Sequence, residues 1–313
     1  MKIGIVGTGY VGSTTAFSVL MRKAATSIVM VDINRKRAAA EAADISHAVP
    51  FAHPAVVSAG GYSDLSGAGI VVIAAGANQK PGESRLDLLS RNGKIIKDII
   101  PKILQHAPEA MLLMTTNPVD VMTHIAAKHA RKMGYSDHRI IGTGTTLDTA
   151  RFRSLLGSQL GVDPQHVHAY VIGEHGDSEV LTWSIVDIGG LPLEDFIRHR
   201  RIGFSEEIRK KIDEQVRYAA YEIIEGKGAT YYGIGAAAAR IVDVIAHDHR
   251  SILTICRPTD EIADVGNVTI SLPHLMGGSN IIAPLPMKLN DEENKALVKS
   301  AGVIREMIDK LED

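Results

Sequence analysis

The residue of this sequence best suited to moving a proton is a histidine set between glycines. His175 lies in Ile172-Gly173-Glu174-His175-Gly176-Asp177, just past an apolar strand, and the flanking small residues leave its ring accessible. Imidazole titrates near neutrality, so it can take the hydroxyl proton of a secondary alcohol or return one to a carbonyl. Without partners the same residue is an ordinary turn histidine. Asp148 and Arg151 stand three apart on a helix expected to open at Leu147, share one face, and read locally as an ion pair.

A second set of residues suits binding rather than reaction. Gly7, Gly9 and Gly12 form G-x-G-x-x-G directly after the first apolar run and at the start of a helix. Gly7 permits a tight turn, Gly9 lets a pyrophosphate approach the backbone, and Gly12 lets helix and strand pack closely, with the helix N-terminus facing the phosphates. Asp32 ends the second strand, 20 residues after Gly12, where a carboxylate accepts ribose hydroxyls. A 2'-phosphate beside Asp32 would meet like charge, which Arg35, Lys36 and Arg37 only partly relieve, so NAD is expected over NADP.

These groups need a scaffold, and the first half of the chain spells one. Short Val- and Ile-rich runs at Lys2 to Val6, Ser27 to Val31, Ile70 to Ala74, Met111 to Thr115 and Arg139 to Ile141 alternate with helices from Val11, Arg35, Leu86, Pro118 and Leu147. Strands alternating with helices predict an α/β fold, a Rossmann-type doubly wound parallel sheet. The second half predicts a mixed α+β domain: antiparallel runs at Val167 to Ile172 and Glu179 to Asp187, then helices over Ser205 to Ile224, Ile234 to Ile245 and Asp291 to Glu312. The expected division is 1–143 for the dinucleotide and 144–313 for the substrate, closely packed, with the site in the cleft between them.

Composition narrows the class. The 313 residues are 45% hydrophobic and 22% charged with a net charge of -2, an ordinary globular balance that predicts no nucleic-acid partner. The densest cations, Arg198, His199, Arg200 and Arg201, read as a solvated loop, with anion binding as the lesser alternative. A single cysteine, Cys256, excludes a disulfide framework and a cysteine-rich metal site, and points to the cytoplasm. The start of the chain reads as a strand rather than an export leader, and no stretch is apolar for long enough to span a membrane. His166 and His168 share a strand face but lack a further ligand at a recognisable spacing, so no metal is expected.

Four motifs occur in order: Gly7 to Gly12, Asn78-Gln79-Lys80-Pro81-Gly82-Glu83-Ser84-Arg85, Leu147-Asp148-Thr149-Ala150-Arg151, and Ile172 to Asp177. Over nearly its whole length the sequence resembles the lactate and malate dehydrogenase superfamily, most closely its bacterial L-lactate dehydrogenases. The resemblance implies that Asp148 orients His175 and stabilises imidazolium, that Arg151 forks onto a substrate carboxylate, and that Arg85 polarises the carbonyl from a closing loop. It implies Asn117 and Thr230 as further substrate contacts, Asn117 also suiting a helix N-cap. It implies cofactor contacts from Tyr10, Val11, Arg37, Tyr62, Gly76, Ala77, Thr115, Asn117 and Thr143 beside the glycines and Asp32.

Malate-specific relatives usually carry arginine where this chain has Gln79, which favours pyruvate and lactate over a dicarboxylate; Lys80 next door keeps malate open, and branched hydroxy acids are the close alternative. Arg153 and His168 match positions through which the bacterial relatives bind fructose 1,6-bisphosphate across a homotetramer interface; a solvated helix arginine and a strand histidine are the plain reading. A noncatalytic NAD-binding sensor is the alternative of a different class, and the joint presence of His175, Asp148, Arg151 and Arg85 opposes it. No serine lies in a G-x-S-x-G elbow, which opposes a hydrolase.

Overall fold

The computed structural model describes residues 1–77, 85–262, 264–278 and 280–312. The first half runs β1 (Lys2–Val6), α1 (Tyr10–Met21), β2 (Ser27–Val31), α2 (Arg35–His47), β3 (Val56–Ala59), β4 (Ile70–Ile73), α3 (Arg85–His106), β5 (Met111–Met114), α4 (Val119–Arg131) and β6 (Ile140–Gly142). These strands pair in parallel in the order β3-β2-β1-β4-β5-β6. Successive side chains alternate between faces. Ile3, Ile5, Ile28, Met30 and Val72 meet α1 on one side, whereas Val29, Val31, Val71 and Ile73 meet α3 and α4 on the other. Burial on both faces is why these strands read as unbroken apolar runs.

The second half runs α5 (Thr146–Leu160), β7 (Val167–His168), β8 (Val171–Ile172), β9 (Val180–Leu181), β10 (Asp187–Ile188), β11 (Leu191–Pro192), α6 (Leu193–Arg200), α7 (Glu206–Arg217), α8 (Ala219–Lys227), α9 (Tyr232–Ala246), β12 (Ser251–Ile262), β13 (Val265–Gly277), β14 (Asn280–Pro284) and α10 (Asp291–Glu312). The antiparallel strands β12, β13 and β14 continue the parallel sheet: Cys256 pairs with Gly142, so β12 lies beside β6 and the sheet reaches nine described strands. A separate core joins Phe152 and Leu156 of α5 to Ile212 and Val216 of α7, with Trp183 edge-on to Phe152 at 4.6 Å between ring centroids. Helix α9 lies on α1, where Gly235 meets Thr14, and Asp243 takes Arg240 at 3.0 Å and Arg22 at 3.5 Å.

Several expectations change. Strands β3 and β12–β14 were not anticipated. The helix expected over Ser205 to Ile224 breaks at Tyr218, whose φ of -103° and ψ of 5° interrupt the helical path between α7 and α8. The run Val167 to Ile172 divides between two sheets, and Trp183–Ile185 forms a 3-10 turn inside the second expected run. Arg198 to Arg200 form the last turn of α6 rather than a loop; cations there complement the carbonyl end of the helix, and Arg201 ends it at φ 55°. Among the described residues no helix is long and apolar enough to cross a membrane.

Candidate active site

Strand order reverses between β1 and β4, and crevices outside such switch points are where doubly wound sheets bind ligands. Gly7 opens that crevice at φ +96°, where a side chain would strike Ala75 of the neighbouring loop. A Cβ on Gly12 would lie 1.8 Å from the Gly7 carbonyl, so α1 can approach β1 only with glycine there. Gly9 differs: nothing lies within 4 Å of its Cβ position, and it precedes α1 without any side-chain cap. The open space and the uncapped first turn fit a pyrophosphate. Asp32 anchors this loop, accepting from the Thr8 amide at 2.7 Å and from the Asn34 amide at 2.8 Å. A carboxylate has acceptor capacity left for ribose hydroxyls.

The remaining expected cofactor positions ring the same edge. Tyr10 is exposed and stacks on Tyr231 at 5.2 Å, with the Arg37 guanidinium 5.5 Å from its ring centre; Val11 follows it into α1. Gly76 packs on Thr116, and the Ala77 amide donates to Asn92 Oδ1 at 2.8 Å, while Asn92 Nδ2 reaches the Asn117 carbonyl at 3.0 Å. Asn92 thus fastens the loop after β4 to the loop after β5. Thr115 and Thr143 are buried, and the Thr115 hydroxyl donates to the Ile73 carbonyl, so it shapes the floor from within. Tyr62 is half-buried at the far edge, and burial pushes its hydroxyl pKa up.

The proton-moving group is assembled from three separate segments. Helix α5 is held on β8 because Thr149 Oγ1 accepts from the Val171 amide at 2.9 Å, which aims Asp148 at the loop after β8. There Asp148 Oδ2 lies 2.6 Å from His175 Nδ1, and Oδ1 accepts from Arg151 Nη1 at 2.7 Å. One buried carboxylate therefore holds both cations, while 22% of the His175 side chain and 17% of that of Arg151 stay accessible to a ligand. Burial alone would discharge the ring and neutralise the acid. Instead the Asp148 charge and hydrogen bond carry His175 to about 9, while His175 and Arg151 hold Asp148 below the usual carboxylate range. With Nδ1–H given to Asp148, the other ring nitrogen is the one that can exchange a proton.

Two residues that the sequence did not single out fix this loop. Asp120 accepts from the His175 amide at 2.8 Å and from Ser271 Oγ at 3.2 Å, and its burial pushes its pKa up to about 6. Gly173 and Ser271 exchange backbone hydrogen bonds of 3.0 and 3.1 Å, joining the loop to β13. Asp120 carries the ordinary sequence signal of an acid in a helix's first turn, and nothing local marks its second task.

Other expectations land differently. Asn117 is exposed beside the crevice, yet the cap position of α4 belongs to Pro118 without a side-chain bond, so the capping role falls away. Thr230 is partly buried in the loop before α9, next to the Tyr231 that stacks on Tyr10. Gln79 and the side chain of Arg85 lie outside the described residues; α3 begins at Arg85. Arg153 Nε donates to the Ala169 carbonyl at 2.9 Å and its guanidinium stands 5.2 Å from the ring centre of Tyr170, two residues beyond the exposed His168.

Residues 1–142 match the lactate/malate dehydrogenase NAD binding domain, and residues 145–313 match the lactate/malate dehydrogenase alpha/beta C-terminal domain. The chain belongs to the lactate/malate dehydrogenase family. Within that family it is 57% identical over 311 residues to an L-lactate dehydrogenase of Geotalea daltonii, covering 99% of each chain. To an L-lactate dehydrogenase of Thermus aquaticus it is 52% identical over 305 residues, 97% of each. A solved lactate dehydrogenase, MGS-M5 from a Medee basin deep-sea metagenome library, superposes with a TM-score of 0.95 at 39% identity, covering 100% of this chain and 99% of that one.

Proposed function

We propose that this protein is an NAD-dependent L-lactate dehydrogenase that interconverts pyruvate and L-lactate. The observation that carries the reading is the joining of His175 and Arg151 through one buried carboxylate, on a loop fastened to Asp120 beside the dinucleotide crevice. NAD, when bound, supplies or accepts the hydride. The glycine loop and Asp32 would hold it, with Tyr10, Val11, Arg37, Tyr62, Gly76, Ala77, Thr115, Asn117 and Thr143 along the same edge. Arg151 orients the substrate by its carboxylate, since a guanidinium fork matches that group. His175 gives its proton to the carbonyl oxygen during reduction and takes it back during oxidation; Asp148 stabilises the charged ring and fixes its orientation. Arg85 polarises the carbonyl, and Gln79, Asn117 and Thr230 line the pocket.

The division 1–143 and 144–313 is part of this proposal, as are a cytoplasmic location and a homotetramer in which Arg153 and His168 bind fructose 1,6-bisphosphate. Paired cations suit a phosphate. The deciding measurement is kcat/KM for pyruvate and for oxaloacetate with NADH under identical conditions. Pyruvate is expected to win by at least about tenfold, since a second carboxylate without a cation leaves a buried charge unpaired. A preference for oxaloacetate would overturn the substrate assignment.

A further inference from the structure

Glu179 lies four residues after His175, immediately before β9. It is 5% exposed, and its Oε1 has no hydrogen-bond partner among the described residues. Of the cations around it, Arg217 is already committed: it pairs with Asp213 at 2.9 Å and donates to the backbone carbonyls of Asp177 and Glu179 at 2.7 Å, not to the Glu179 carboxylate. A buried carboxylate left unpaired is costly, and such a group keeps its proton instead. The surrounding charges are Asp148 and Arg151 from α5, His175 from the loop, and Arg217 from α7. Burial first, and then the Asp148 charge, push Glu179 up to about 8, against the pull of the three cations.

Resting on the dehydrogenase reading, we propose that Glu179 is a proton-holding positioning residue: its charge state sets how firmly His175 keeps its proton, and so the balance between keto-acid reduction and hydroxy-acid oxidation. As a neutral acid it adds no field, and His175 can release its proton to the forming hydroxyl. Once ionised, it adds a negative charge that holds the imidazolium more tightly. Oxidation needs the neutral ring, so ionised Glu179 opposes that direction.

Two readouts test this. In wild-type protein without substrate or cofactor, the infrared carbonyl stretch of a protonated carboxyl should persist above pH 7, where Asp120 is largely ionised, and should be missing in Glu179→Gln. Its absence from the wild type overturns the proton-holding role without any need for the variant to fold. In kinetics, kcat/KM for lactate oxidation and for pyruvate reduction should titrate with midpoints lower by about half a pH unit or more in Glu179→Gln, because the variant cannot add the negative charge. Midpoints equal to wild type overturn the proposal, and a purely structural role would lower kcat without moving them. Failure of the wild type to turn over either substrate would defeat the dehydrogenase reading instead, a separate result because the infrared band is read on unliganded protein.

Discussion

At His175 two effects of opposite sign meet, and their magnitudes decide the chemistry. Burial disfavours the imidazolium, whereas a carboxylate 2.6 Å away favours it; the carboxylate wins, and the ring stays protonated up to about pH 9. Reduction of a keto acid needs that proton. Asp148→Asn keeps the shape and removes the charge, so the ring should lose its proton near or below the ordinary histidine range. We expect kcat/KM for pyruvate at pH 7.5 to fall on the order of 10²-fold, with the alkaline limb of the pH profile moved to lower pH. An unmoved limb would show that Asp148 is not the source of the shift. His175 and Asp148 were legible in the sequence as separate signals, a histidine between glycines and a carboxylate on a helix. Glu179 was not, because its weight comes from what surrounds it in space, Arg217 and Asp148, and a glutamate at the edge of a strand carries no mark of burial.

Among elements, the turn from β1 into α1 separates two kinds of glycine. Gly12 is required by the protein, since its Cβ would sit 1.8 Å from a backbone oxygen; Gly9 faces open space and is required only by what binds there. Gly12→Ala should therefore cost roughly 1–3 kcal/mol or more of stability as overpacking, while Gly9→Ala should leave the melting temperature nearly unchanged, within about 0.5 kcal/mol, and weaken NADH binding. Thermal melts and NADH fluorescence titrations of both variants check this, and equal destabilisation would refute the distinction. The parallel strands were readable because burial on both faces makes them apolar throughout. The long pair β12 and β13 was not, since Thr254, Arg257, Thr259 and Glu261 interrupt it and Pro258 sits inside β12. Proline is tolerated there because β12 pairs with β6 only at Cys256, leaving its far portion unpaired on that side.

For the molecule as a whole, proton binding and stability are linked. Asp120, Glu179 and His175 are raised to about 6, 8 and 9 in the fold from ordinary values of 3.8, 4.5 and 6.5. A group raised in the fold stabilises it below its unfolded value, and that contribution disappears as pH climbs through the folded one. The Asp120 contribution is spent by about pH 6, and those of Glu179 and His175 decline from there to about pH 9, whereas Asp148 and Asp243, held low, lose their contributions only on the acid side. The melting temperature at constant ionic strength should therefore decline steadily from about pH 6 to about pH 9; scanning calorimetry across that range checks it, and a level profile would count against the raised values. The bonds that fasten the His175 loop have another consequence. Its partners Ser271 and Ser300 lie in β13 and α10, the Glu174 amide donating to Ser300 Oγ at 2.8 Å. A polypeptide leaves the ribosome N-terminus first, so the glycine cradle is complete long before those serines exist. A chain that stalls or is clipped before β13 thus has Asp148 and Asp120 to meet His175 but lacks both serine fastenings of its loop, so the anchoring of the histidine is finished only when the C-terminal helix has been made.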